Sequence, residues 1–349
     1  MVQSLDVSTG LFNFQRSILN NKWKLTLEDH MHSAFAVHSI LFLSKDQHNY
    51  DDISTFFNQT IYATIIQTIE GTYGIKKPRL PMDTITKVLN IIQDVSTETI
   101  SRNKGIVQLI DLDLPPQETK FVKSIVQLMG KLPRNPISND TNESELGTRY
   151  IDPFLCGLFD DPDHGMYLRW TNEITLEAKK NEGLATKNRP DVCITSLCGS
   201  RFSINHGFGE VKSATYDSNH FLLCKDLLRV ATFCKDALDT HNMEAVLGIQ
   251  AIGQVLYFYI LLLPANGVYV FLELGKVQIP NNLQDLTKLV MDAPLLLLII
   301  DVFERLCIPS AHVCNPDRHR PTIDTSSFNQ IFSSSQNRKR LCPLQRNNH

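Results

Sequence analysis

The run AVLGIQAIGQVLYFYILLL, from Ala245 to Leu263, carries no charge over a length close to what a bilayer requires, so it must be buried in lipid or in a protein core. Gln250 and Gln254 lie one helical turn apart near its middle, and neither a basic flank nor an aromatic belt orients it. The run is therefore expected to be a buried core helix, with a membrane span as the weaker reading. A core can be built around it. Of the 349 residues 42% are hydrophobic and 20% charged, unlike a disordered chain. That length suggests two domains. The net charge of −3 gives no global basic field, so any contact with nucleic acid has to come from a local patch. The eight cysteines are scattered through apolar stretches, and the start MVQSLDVSTGLFNFQRS has neither the basic nor the long apolar region of a signal peptide. Reduced thiols and an intracellular location, nucleus or cytoplasm, are expected.

Residues 1–138 read as a helical region of unknown role. LTLEDHMHSAFAVHSILFL, DISTFFNQTIYATIIQTIEG, DTITKVLNIIQDV and ETKFVKSIVQLMGKL each repeat apolar residues at three and four, the pattern of four amphipathic helices. His30, His32 and His38 invite a metal reading, but Glu28, His30 and His32 alternate at strand spacing inside a helical pattern and do not share a face. The polar, proline-broken stretch LPRNPISNDTNES sets a boundary near Asn139. Residues 139–310 then change character. A helix is expected over Glu143 to Phe159, strands over 166–174, 191–197 and 208–214, and helices over Asn219 to His241 and Met243 to Leu263. Asn266-Gly267 marks a turn before the strand VYVFLEL, and Leu283 to Leu306 reads as the last helix. Residues 311–349 read as a polar, basic, disordered tail, in which Arg338-Lys339-Arg340 has the composition of a nuclear-import signal.

The chemistry concentrates in RPDVCITSLCGSRFSINHGFGEVKSA, residues 189–214. Side chains two apart on a strand share a face, so Glu210 and Lys212 project together while Val211 enters the opposite, apolar face. Asp191 begins the preceding strand, 19 residues before Glu210 (210 − 191), and neighbouring strands bring the two carboxylates side by side. Acids that close repel each other unless a cation sits between them. A hard divalent ion such as Mg²⁺ suits an oxygen-only pair, and the reaction it suits is phosphodiester hydrolysis. The compact charge of Lys212 is placed to orient an attacking water or to offset charge on the scissile phosphate.

Pro190-Asp191 followed by Glu210-Val211-Lys212 resembles the motif of the PD-(D/E)xK nuclease superfamily. The order of expected elements over about residues 140–310 looks like its restriction-endonuclease-like αβββαβ core. More narrowly, the region looks similar to nuclease-like domains numerous in fungal proteins, some of them fused to effector modules. The resemblance implies an α/β (α+β) fold, Mg²⁺ (or Mn²⁺) as cofactor, nucleic acid as partner with DNA ahead of RNA, Asp191 and Glu210 as metal ligands, and Lys212 as the catalytic lysine. It further implies a glutamate from the first helix, best matched by Glu145 and less well by Glu143, and a glutamine from a later helix, Gln250 or Gln254. The chain departs from the minimal core in an extra helix before the one expected to carry that glutamine.

Other candidates carry less. Cys307, His312, Cys314 and His319 have zinc-ligand types without a zinc-site spacing. His206 and His220 flank the Glu-Val-Lys strand and read as turn histidines. Arg169, Lys179, Lys180, Lys187, Arg189 and Arg201 are the local positives from which a nucleic-acid track has to be built. The rival to a nuclease is an inactive nuclease-like fold that binds protein or nucleic acid, with the N-terminal helices as a protein-binding surface.

Overall fold

A computed structural model describes residues 6–21, 23–45, 50–79, 82–138, 141–180, 189–311 and 316–334. It places the uncharged run in two antiparallel strands rather than a helix. In chain order the first elements are α1 (Val7–Leu19), β1 (Leu25–Thr26), α2 (Met31–Ala36), β2 (Ile40–Leu43), α3 (Gln59–Thr72), α4 (Met82–Ser96), α5 (Arg102–Ile110) and α6 (Pro116–Lys131). There follow α7 (Glu143–Leu146), α8 (Asp152–Phe159), β3 (Met166–Trp170), α9 (Leu176–Lys180), β4 (Val192–Cys198), β5 (Arg201–Lys212) and α10 (His220–His241). Then come β6 (Ala245–Ile252), β7 (Val255–Ala265), β8 (Val268–Gln278), α11 (Leu286–Met291), α12 (Ala293–Leu306), α13 (Thr325–Ile331) and β9 (Phe332–Ser333). The fold is mixed α/β.

The centre of the molecule is a seven-stranded sheet in the order β2-β8-β7-β6-β5-β4-β3. β5 and β6 run parallel, as do β2 and β8, and the other neighbours are antiparallel. This explains the misread run. β6 is the fourth strand of seven and every one of its residues is buried, so it shows no alternation by which to tell a strand from a buried helix. The break lies at Gly253, whose φ of +56° opens the two-residue loop between Ile252 and Val255, and the aromatic, β-branched character of VLYFYI favours the strand that follows. Among the described residues no helix is long and apolar enough to cross a membrane.

Three further expectations are corrected. The helix expected over residues 25–43 is instead β1, the short α2 and β2, with Ser39 turning the chain at φ +63° and the fully buried Ile40–Leu43 pairing with β8. A segment of the N-terminal region thus forms one edge of the sheet. Its residues share a hydrophobic cluster with those of the later elements: Phe14, Phe35 and Ile125 belong with Phe154, Phe208, Leu261 and Ile300. The last helix is two, α11 and α12, separated at Asp292 with Pro294 in the first turn of α12. Residues 316–334, expected to be disordered, carry α13 and β9. Phe328 stacks on Phe332 with ring centroids 4.7 Å apart, β9 pairs with β1, and Arg318 donates to the Leu263 carbonyl at 2.9 Å. Apolar side chains at 328, 331 and 332 drive that docking. Asn139 and Arg338-Lys339-Arg340 lie outside the described residues.

The sheet is covered by α10 on one side, and α6 packs against α8 and α12. α10 starts with the Asn219 side chain accepting from the Leu222 N–H at 3.3 Å and ends at Asn242 in the left-handed conformation. Where α8 crosses α6, backbone meets backbone: a methyl group at Gly157 would lie 2.1 Å from Ser124 Cα and 2.3 Å from its nitrogen. Gly157→Ala is therefore expected to cost about 3 kcal/mol or more, because neither partner is a side chain that can turn aside. Urea unfolding that moved by less than a few tenths of a kcal/mol would contradict this packing.

Candidate active site

The C-terminal end of β5 carries Glu210 and Lys212, and the start of β4 lies beside it. Asp191, one residue before β4, donates its N–H to the Gly209 carbonyl at 3.1 Å, while its Oδ2 accepts the Val211 N–H at 2.8 Å. This ladder sets the Asp191 carboxylate over the same strand end as Glu210. Glu210 is only 2% exposed and Val211 5%, so the strand is covered on both faces. The register places Glu210 directly opposite Gln250 of β6. Gln250 reaches α10 by donating to the Leu223 carbonyl at 2.8 Å.

α10 supplies two residues that sequence reasoning missed, Asp226 and Arg229. The Arg229 guanidinium spans the acids: Nη2 lies 3.0 Å from Glu210 Oε1, and Nη1 lies 3.3 Å from Glu210 Oε2 and 3.1 Å from Asp226 Oδ1. Nη2 also donates to the Arg189 carbonyl at 2.9 Å. Lys212 Nζ sits 3.6 Å from Asp226 Oδ2, 4.0 Å from Glu143 Oε1 and 3.1 Å from the Val211 carbonyl. Of the two first-helix glutamates, then, Glu143 is the one that reaches the site. Glu145 turns to Arg149, with Nε 3.1 Å from its Oε1. Asp226 marks a detectable signal: it falls on the face of α10 that buries Leu223, Leu227 and Val230, and an acid on a core face calls for a partner.

The electrostatics are unbalanced. Four carboxylates (Asp191, Glu210, Asp226 and Glu143) meet two cations (Lys212 and Arg229), an excess of two formal negative charges when all are ionised. Burial, reinforced by the charge of Asp191, pushes the Glu210 carboxyl up to about 9 even with Arg229 against it. Burial raises Asp226 as well. For Lys212 burial acts to lower the pKa, yet the carboxylates of Asp226, Asp191, Glu143 and Glu210 together raise it, so its amine stays protonated. Three buried oxygens, Glu210 Oε1, Asp226 Oδ2 and Gln250 Oε1, accept no hydrogen bond. Glu210 Oε1 and Asp226 Oδ2 nevertheless have ion contacts, to Arg229 at 3.0 Å and Lys212 at 3.6 Å, and carboxylates crowded in this way fit a further cation.

Among the described residues no group of three or more His, Cys, Asp or Glu side chains is arranged as a metal cage. The donor set is thus at most a pair of carboxylates. Mg²⁺ is commonly held in that way, keeping several waters and taking further ligands from a substrate phosphate. Glu143 and Asp191 open onto a cleft of about 430 Å³ whose wall includes Thr148, Trp170, Thr171 and Asn172. The turn of π-helix at Gly147–Ile151, between α7 and α8, borders it, a local widening frequent at functional sites.

The remaining candidates lie elsewhere. His206 is buried between the Cys307 carbonyl (2.7 Å) and Ser196 Oγ (2.9 Å), and His220 is buried at the start of α10. Gln254 lies in the β6–β7 loop, whose Gly253 donates its N–H to the Lys212 carbonyl at 2.8 Å. Cys307 is buried and His319 approaches Asp239 at 3.6 Å, whereas His312 and Cys314 lie outside the described residues. Of the positive side chains, Arg169 covers the Phe202 ring at 3.8 Å, Lys179 pairs with Glu173 at 3.0 Å, and Lys180 lies 3.4 Å from His241 Nδ1. Arg201 is exposed at the start of β5, and Lys187 is outside the described residues. Arg189 donates to the carbonyl of the cleft-lining Asn172 at 3.1 Å.

The chain matches no protein-family model, no curated protein and no solved structure.

Proposed function

We propose that this protein hydrolyses phosphodiester bonds of nucleic acid, DNA ahead of RNA, at a PD-(D/E)xK-type site of residues 139–310. The observation that carries the reading is the convergence of the Asp191, Glu210, Asp226 and Glu143 carboxylates with Lys212 at one end of β5. The element sequence α8, β3, β4, β5, α10, β6, interrupted by the short α9 between β3 and β4, with β3 to β5 antiparallel and β6 parallel to β5, supports it. So does the placement of Gln250 beside Glu210, which removes the extra helix: α10 follows the Glu-Val-Lys strand directly, and the glutamine comes from β6.

Asp191 and Glu210 are the residues to hold Mg²⁺ or Mn²⁺, which when bound supplies positive charge to polarise the phosphoryl oxygen and lower the pKa of water. Lys212, kept as an ammonium by the surrounding carboxylates, has donors but no lone pair to accept a proton. It therefore orients the water or stabilises charge on the phosphate rather than acting as a base. Asp226 and the cleft-lining Glu143 both hold the Lys212 ammonium, and Arg229 holds Glu210 through two contacts.

One observation favours the rival reading of an inactive binding module: Arg229 already offers Glu210 a counter-charge. Cleavage decides between them. Incubated with plasmid DNA and with labelled RNA, the full chain is expected to cut in Mg²⁺ or Mn²⁺ and not in EDTA. Absence of cutting in every condition would leave the binding module.

A further inference from the structure

We infer that Trp170 is a stacking platform for an unpaired nucleobase next to the scissile phosphate, so that the substrate is single-stranded or locally opened nucleic acid. This rests on the proposed nuclease reading and names its substrate class. Trp170 is the last residue of β3, the edge strand of the sheet, and pairs with Val192, the residue after Asp191. The next residue, Thr171, donates its N–H to the Asp191 carbonyl at 3.0 Å. The indole therefore stands one ladder step from the proposed metal ligand, in the wall of the same cleft.

Its ring is fixed yet uncovered. The indole N–H donates to Asp152 Oδ1 at 2.7 Å, and two ring carbons lie so near the Gly147 backbone that an added methyl there would sit 3.2 and 3.3 Å from them. A side chain tied in this way still exposes 41% of its surface. A rigid, water-facing aromatic loses little conformational entropy on binding and presents a π-face to whatever enters. In an intact duplex the faces of the bases are occupied by their neighbours, so a wall residue can stack only on a base that is unpaired, terminal or turned out. Arg189, exposed and hydrogen-bonded to the carbonyl of the cleft-lining Asn172, supplies positive charge for the backbone of such a strand.

The chain has two tryptophans, so Trp23→Phe leaves Trp170 as the sole indole reporter. With the full chain in Mg²⁺, a phosphorothioate-linked oligo-dT that resists hydrolysis is expected to quench the Trp170 emission. Trp170→Ala should weaken its binding by about 5- to 100-fold in fluorescence anisotropy, as expected for loss of one stacked base. Trp170→Phe, which keeps an aromatic face, should stay within a few-fold of the parent, and a blunt hairpin duplex of the same charge should not distinguish the variants. Emission unmoved by oligo-dT, or equal affinity of the alanine and parent proteins, overturns the inference. If DNA is still cut while Trp170 is insensitive, the nuclease reading stands and the stacking role falls. If nothing is cut but Trp170-dependent binding persists, the nuclease reading falls and the stacking face remains.

Discussion

Asp191→Asn is expected to leave the fold intact and to reduce metal-dependent cleavage by at least about 10²- to 10³-fold, the scale seen when one preorganised electrostatic group is lost. The two effects separate because the side chain does two things. Its Oδ2 accepts the Val211 N–H at 2.8 Å, tying β4 to β5, and an amide oxygen in the same place continues to accept that bond. Its negative charge cannot be replaced by the amide, and with it goes half of the acid pair. Asp191→Ala, in contrast, orphans the Val211 N–H, so a loss of activity there mixes a charge effect with a structural one. Thermal unfolding of the asparagine variant should match the parent in EDTA, while the stabilisation that Mg²⁺ gives the parent should shrink. An asparagine variant that cuts as fast as the parent would remove Asp191 from the site.

The second large effect concerns stability and lies outside the site. Asp52 accepts the Ser33 N–H at 2.8 Å through Oδ2, while its buried Oδ1 accepts none, and burial raises its carboxyl to about 7. Between the ordinary aspartate value of 3.8 and about 7, the folded state binds this proton and the unfolded state does not. Stability therefore falls as pH rises through that window and is level above it. At 1.36 kcal/mol per pH unit the loss from this group is on the order of 4 kcal/mol. Asp52→Asn keeps the acceptor for Ser33 and cannot ionise, so it should make the fall between pH 4 and 7 shallower by this group's share and stabilise the chain at pH 8. Urea unfolding of both proteins across that range checks this, and parallel profiles would contradict it.

What the sequence made legible was whatever depended on local spacing. The alternation at Glu210, Val211 and Lys212 assigns faces without tertiary information, because the strand period is two. Periodicity likewise located α3, α4, α6 and α10. The two strands misread as helix share one cause, complete burial. Ile40–Leu43 and Ala245–Ile252 are covered on both faces, which erases the alternation that marks a strand, so each was absorbed into a helix. That error carried Gln250 with it, giving a helical address to a residue that stands in register with Glu210. Asp226 and Arg229 were passed over for a different reason: acid and base three residues apart on a helix usually form a solvated pair, which outweighs the core-face position of Asp226. Only the packing of α10 across the sheet turns that pair inward. Glu143 and Glu145 have equivalent spacing in sequence, and the direction of the helix start, where the Asn142 side chain caps the Glu145 N–H at 2.9 Å, separates them.

The most direct test of the metal-dependent nuclease reading is the initial rate at which the full chain cuts a 5′-labelled single-stranded oligonucleotide in Mn²⁺, measured beside Lys212→Met. The methionine keeps the length of the side chain and removes the ammonium, so the rate is expected to fall by about 10²-fold or more while unfolding in the absence of metal changes little. Equal rates for the two proteins, or cutting that survives EDTA, would contradict an active site built on Asp191, Glu210 and Lys212.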